Sequence, residues 1–206
     1  MINYKHKFIF IHINKCGGTT LDTLIPKSKF PSGVHNDASW YMLNFPQKFN
    51  SYFKFTTVRN PWAKAVSFYY YHVGRNWNLN WDWDVTNAPT FKEFVKITSS
   101  YTKQKQESIF QNTQSPCTYS KRMSNQLDWI TDENGDILVD YIMRLETLQE
   151  DFDIVCDKIG IPRQKLPCKN KSKHKHYTEY YDDETRALTA EKYARDIEYF
   201  GYEFGE

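Results

Sequence analysis

Lys15, Gly17, Gly18, Thr19 and Thr20 stand together just after residues 8–13, a largely apolar run without an acidic residue. A lysine, two glycines and two hydroxyl residues in that order suit an anion. The glycines allow a tight turn and let a ligand approach the backbone closely. Thr19 and Thr20 fall where a helix would begin, with amides that lack acceptors inside it. Lys15 adds a full positive charge at the mouth of the loop, and a phosphate is the usual occupant of such a nest. The nucleotide pattern G-x-x-x-x-G-K-[ST] is absent, because here the lysine precedes the glycines.

A second candidate anion site lies at Arg59 and Ser67. Arg59 follows an apolar strand pattern, and Ser67 falls about two turns into the helix expected after Asn60-Pro61. Arginine is a fork donor and serine a hydroxyl donor, both suited to phosphate oxygens. His35 lies between the two clusters and titrates near neutrality, which suits a general base or an exposed loop histidine without a task. His12, inside a strand pattern, reads as a buried structural histidine.

These residues need elements to hold them. Residues 8–13, 52–58 and 141–145 read as strands, the first and third of the kind buried on both faces of a covered parallel sheet. Helices are expected at 19–25, 40–45 (ended before Pro46), from Pro61 onward, at 90–98, at 123–130 and at 148–159. A last one starts at Asp182 or Asp183, presents Ala190, Tyr193, Ala194 and Ile197 to the core, and ends at Gly201. The fold class is α/β, a P-loop-like parallel sheet flanked by helices, with the ligand at the carboxyl ends of the strands. Residues 74–89 and 99–120 read as loops, and no linker or repeat divides the chain, so residues 1–206 are expected to form a single domain.

Hydrophobic residues make up 40% and charged residues 25%, ordinary values for a globular protein. The net charge of +2 gives no bulk attraction to nucleic acid or membranes. No stretch is long enough to span a bilayer, and residues 1–7 lack signal-peptide features. Cys16, Cys117, Cys156 and Cys168 have neither metal nor redox spacing, so free thiols in a cytoplasm are expected.

The blocks together resemble the 3′-phosphoadenosine-5′-phosphosulfate (PAPS)-dependent sulfotransferases, and most resemble the chondroitin and heparan-type carbohydrate branch. His12-Ile13-Asn14-Lys15-Cys16-Gly17-Gly18-Thr19-Thr20 is similar to the family's 5′-phosphosulfate loop. The run from Val58 through Arg59, Asn60, Pro61 and Lys64 to Ser67 and Tyr69 is similar to its 3′-phosphate block. Arg144-Leu145-Glu146 and the ending from Asp196 to Tyr202 resemble later blocks. Asn14 stands for the common Pro, Cys16 for Thr or Ser, and Lys64 for the frequent Arg; the last is expected to weaken only a peripheral contact.

The resemblance implies sulfuryl transfer from PAPS to a hydroxyl, with a carbohydrate as acceptor and no metal. Lys15 and the amides of Cys16, Gly17, Gly18, Thr19 and Thr20 would take the 5′-phosphosulfate, Lys15 would be catalytic, and Arg59 and Ser67 would take the 3′-phosphate. His35 would be the base. Lys171, Ser172 and Lys173 would either fold over the nucleotide or form a solvated cationic loop. Trp77, Trp81 and Trp83 would either stack on sugar rings or pack their own loop. Two other classes stay open: a Mg²⁺-dependent nucleotide phosphotransferase, and a non-catalytic glycan-binding protein on the same scaffold.

Overall fold

A computed structural model describes residues 1–25, 35–73, 90–99, 122–167 and 175–206. The chain divides into two compact units, Met1–Arg59 with Gln126–Lys171, and Asn60–Asn125 with Ser172–Glu206.

The first unit is built on a four-stranded sheet of order β1-β2-β3-β4, with β1 Ile2–Asn3, β2 Phe8–Ile11, β3 Phe53–Val58 and β4 Tyr141–Arg144. The last three are parallel, with Ile11 opposite Thr56 and Val58 opposite Arg144. Their carboxyl ends therefore meet along one edge, and each leads into a segment singled out above. β1 is an antiparallel addition, too short for its residues to show a period.

Alternation sorts the side chains. Phe8, Phe10, Phe55 and Met143 face one side and join Leu148, Phe152, Val155, Cys156 and Ile159 in a buried core. Those last five residues form the apolar stripe of α6, Leu148–Ile159, whose bounds agree with the sequence reading. Stacked Phe53, Phe55 and Phe10 rings, with centroids 5.8 Å and 5.2 Å apart, run across the strands. Burying each such ring contributes about 1.5–3 kcal/mol.

Three shorter helices complete this unit. α1, Gly18–Leu21, is only four residues, shorter than the helix expected to Ile25. The Asp37 side chain accepts from the Trp40 amide at 2.7 Å and starts α2, Ala38–Asn44. Pro46 does more than end it. It opens α3, Pro46–Ser51, because a missing N–H costs nothing at the first helical position. Of the helix expected at 123–130, a 3₁₀ turn at Leu127–Trp129 is found.

The second unit contains α4 Pro61–Val73, α5 Phe91–Ser99, α7 Asp183–Lys192, α8 Ala194–Phe200 and a 3₁₀ turn at Tyr177–Tyr180. Asn60 caps α4, its Oδ1 accepting from the Trp62 and Ala63 amides. Tyr69, Phe91 and Phe94 pack together, and Phe204 meets Trp62, Tyr177 and Tyr181 edge-on. The expected single C-terminal helix is two helices that break at Tyr193. Asn125 makes the break possible. Its Oδ1 accepts from the Asp196 amide at 3.3 Å and its Nδ2 donates to the Lys192 carbonyl at 3.4 Å, satisfying both helix ends. The break moves the buried stripe to Thr185, Thr189, Tyr193, Asp196 and Phe200 and leaves Ala194 exposed, contrary to the sequence reading.

Candidate functional site

The loop after β2 passes twice through left-handed backbone, at Lys15 (φ 63°) and Gly17 (φ 82°). For a lysine this costs about 1–3 kcal/mol unless the surroundings hold it. Alternation of this kind folds the chain into a concavity suited to anions. The Thr20 amide donates to the Gly17 carbonyl at 2.9 Å, and that of Asp22 to Gly18 at 2.8 Å. Gly18 and Thr19, the first two residues of α1, carry amides that have no acceptor within the helix. With four residues, α1 adds little dipole, so the loop's positive field comes from amides and Lys15.

Two contacts require glycine here. Gly17 sits in left-handed backbone, and a Cβ there would lie 2.6 Å from Leu145 Cδ1, so the Leu145 side chain packs against the loop. A Cβ on Gly18 would lie 2.0 Å from His12 Nε2, so the imidazole takes the space a side chain would need.

His12 itself is a neutral packing group. Burial first, and His35 second, push its imidazole down to about 3. Its Nδ1 lies 3.7 Å from Asp22 Oδ2, a contact that at neutral pH is not an ion pair, and its ring stacks on Phe10. His35 meets the His12 ring edge-on at 4.5 Å, and its Nδ1 lies 2.9 Å from the His12 carbonyl. A carbonyl only accepts, so His35 Nδ1 carries a proton, and in the neutral ring the lone pair falls on Nε2.

Arg59 follows β3 and reaches the same loop. Its Nη1 donates to the Lys15 carbonyl at 3.3 Å. Its amide donates to Gln126 Oε1 at 2.8 Å, and its carbonyl accepts from Gln126 Nε2 at 2.9 Å. The buried Cys16 thiol donates to the same Oε1 at 3.1 Å. Asn14 is buried with neither end of its amide hydrogen-bonded.

In the second unit, Ser67 is half-buried on α4. Lys64, on the same helix, is buried. It is 2% exposed, donates to the Ser124 carbonyl at 3.3 Å and lies over the Tyr193 ring.

Comparison with known proteins adds what geometry alone does not decide. The sequence profile of the Sulfotransferase family matches residues 1–203. The chain belongs to the sulfotransferase family. An uncharacterized protein of Archaeoglobus fulgidus is 31% identical over 138 residues, covering 61% of this chain and 84% of that protein. The crystal structure of a sulfotransferase from Alicyclobacillus acidocaldarius aligns with a TM-score of 0.48 and 16% identity over 96% of each chain.

Sulfotransferase membership makes this chain a transferase. Several expected contributors, Trp77, Trp81, Trp83, Lys171, Ser172 and Lys173, lie outside the described residues. Cys16 and Cys156 are buried free thiols; Cys117 and Cys168 also lie outside. Among the described residues no helix is long and apolar enough to cross a membrane. A cavity of about 530 Å³ in the second unit is lined by Trp62, Asp183, Arg186 and Phe204, none of them an expected site residue. Gln126 is the contributor that sequence reasoning missed. A glutamine in a polar segment carries no signal until its partners, 67 and 110 positions away, are known.

Proposed function

We propose that this chain transfers a sulfuryl group from PAPS to a hydroxyl group, with a carbohydrate as the acceptor class. The observation that carries the reading is the bond from Arg59 to the Lys15 carbonyl, which sets two cationic residues from separate sequence blocks side by side. The family match supports it and runs through both units, which we read as one sulfotransferase domain with a P-loop-like donor site.

Lys15 and the loop amides of Cys16, Gly17, Gly18 and Thr19, with the Thr20 hydroxyl, take the 5′-phosphosulfate. Arg59 and Ser67 take the 3′-phosphate. The acceptor oxygen attacks sulfur while His35 Nε2 takes its proton. The bond from sulfur to the bridging oxygen breaks, and 3′,5′-ADP leaves. Lys15 stabilises the charge that gathers on the bridging oxygen. Trp77, Trp81 and Trp83 offer flat faces for pyranose rings. The buried free thiols support a reducing cytoplasm.

Thermal-shift titration with 3′,5′-ADP tests the donor, against ATP and 5′-AMP with and without Mg²⁺. A ligand at a hundred times its Kd adds about 2.7 kcal/mol of stability. A Mg²⁺-independent shift with 3′,5′-ADP and little with 5′-AMP is expected. A shift with Mg²⁺-ATP alone would overturn the reading in favour of phosphoryl transfer.

A further inference from the structure

We propose that Gln126 is a positioning residue that couples the two anion-binding segments of the donor site. Its side chain is fully buried, at 0% exposure, where an amide is tolerated only when bonded. It meets both backbone groups of Arg59, accepting from the amide at 2.8 Å and donating to the carbonyl at 2.9 Å. This pair continues, by a side chain, the hydrogen bonding that β3 loses after Val58. It holds the backbone from which the guanidinium extends. The same Oε1 also accepts the Cys16 thiol at 3.1 Å, in the middle of the Lys15–Gly17 turn.

One oxygen thus serves a residue of each segment, and a shift of Cys16 alters the hold on Arg59. The Arg59 bond to the Lys15 carbonyl closes the circuit. Resting on the assignment of these segments to the two ends of PAPS, the inference is that filling one anion site favours filling the other. By linkage the effect is reciprocal. Gln126 touches no reacting atom and acts through Cys16 and Arg59.

Gln126→Met keeps the side chain's length and removes its hydrogen bonds. Titration calorimetry with 3′,5′-ADP is expected to show at least a tenfold loss of affinity. The losses for 5′-AMP and 3′-AMP alone should be smaller, and the KM for PAPS should rise far more than kcat falls. A merely structural role would lower the folded fraction, and with it kcat, at unchanged KM. A folded Gln126→Met protein within twofold of wild type for 3′,5′-ADP overturns the proposal and leaves the donor reading standing. Wild type that fails to bind 3′,5′-ADP overturns both. If Gln126→Met does not fold, hydrogen exchange on wild type decides. 5′-AMP must slow the Arg59 amide and 3′-AMP the amides of residues 16–20, and absence of either cross-effect overturns the coupling.

Discussion

The Arg59 guanidinium donates to the Lys15 backbone carbonyl at 3.3 Å, joining the end of β3 to the turn that follows β2. Parallel pairing makes this possible, since Ile11 pairs with Thr56 and both strands run out at the same edge. A charged donor on the carbonyl of a left-handed lysine also holds a turn that is otherwise strained.

From this bond follows a graded pair of variants. Lys15→Ala should reduce kcat by at least about 10²-fold, the usual loss when one stabilising donor is removed from a transition state. Arg59→Ala should weaken 3′,5′-ADP binding by about 1.5–3 kcal/mol, the worth of a charged hydrogen bond. Because Arg59 supports the Lys15 turn, it should also weaken 5′-AMP, which has no 3′-phosphate. Normal turnover in Lys15→Ala would sink the mechanism.

The His35 contact makes a spectroscopic prediction. With Nδ1 donating to the His12 carbonyl at 2.9 Å, ¹⁵N NMR of the neutral ring should show the Nδ1–H tautomer. His35→Ala should lower kcat about 10²–10⁴-fold with donor affinity unchanged. An Nε2–H tautomer, or undiminished kcat, removes His35 as the base.

Gly18 and His12 compete for one space. Gly18→Ala should destabilise the protein by about 1–3 kcal/mol or more, since its Cβ would meet His12 Nε2 at 2.0 Å. Urea unfolding measures this. His12→Ala added to Gly18→Ala should recover part of the loss, as neighbours sharing a space are not additive. A fully additive double variant would contradict the contact.

The depressed imidazole of His12 gives a pH dependence. Its usual value is 6.5, and in the folded protein burial and His35 push it down to about 3. Between those values the unfolded chain binds a proton that the folded chain does not. Stability from this group is therefore complete above pH 6.5 and falls as pH falls, by up to about 1.4 kcal/mol per unit. Asp22 opposes it, since burial raises its carboxyl and the folded state takes up that proton first. Urea midpoints of wild type and His12→Gln from about pH 6.5 to 4.5 isolate the histidine. Wild type should show the steeper loss, and parallel curves would refute it.

Much of the first unit was legible because its signals are local. Residues 8–11, 53–58 and 141–144 alternate or run apolar at strand length, and α6 carries its apolar stripe and ends at Gly160. Lys15, Gly17 and Arg59 could be singled out by residue type and spacing alone. The two-helix C-terminus could not, because the break at Tyr193 depends on Asn125, far away in sequence. Pro46 reads as a stop whether or not a new helix follows it.

The sequence by itself determined the three parallel strands, the Asn60 cap and the chemical types at the loop, since these depend on neighbours within a few positions. Only tertiary structure decided that Gly18 must be glycine because of His12, that His35 holds its proton on Nδ1, and that Gln126 ties Cys16 to Arg59. The His35 and Gln126 contacts join separate segments, and no local pattern records which distant partner will satisfy a buried polar group; the Gly18–His12 clash arises only once the loop has folded the chain back on itself.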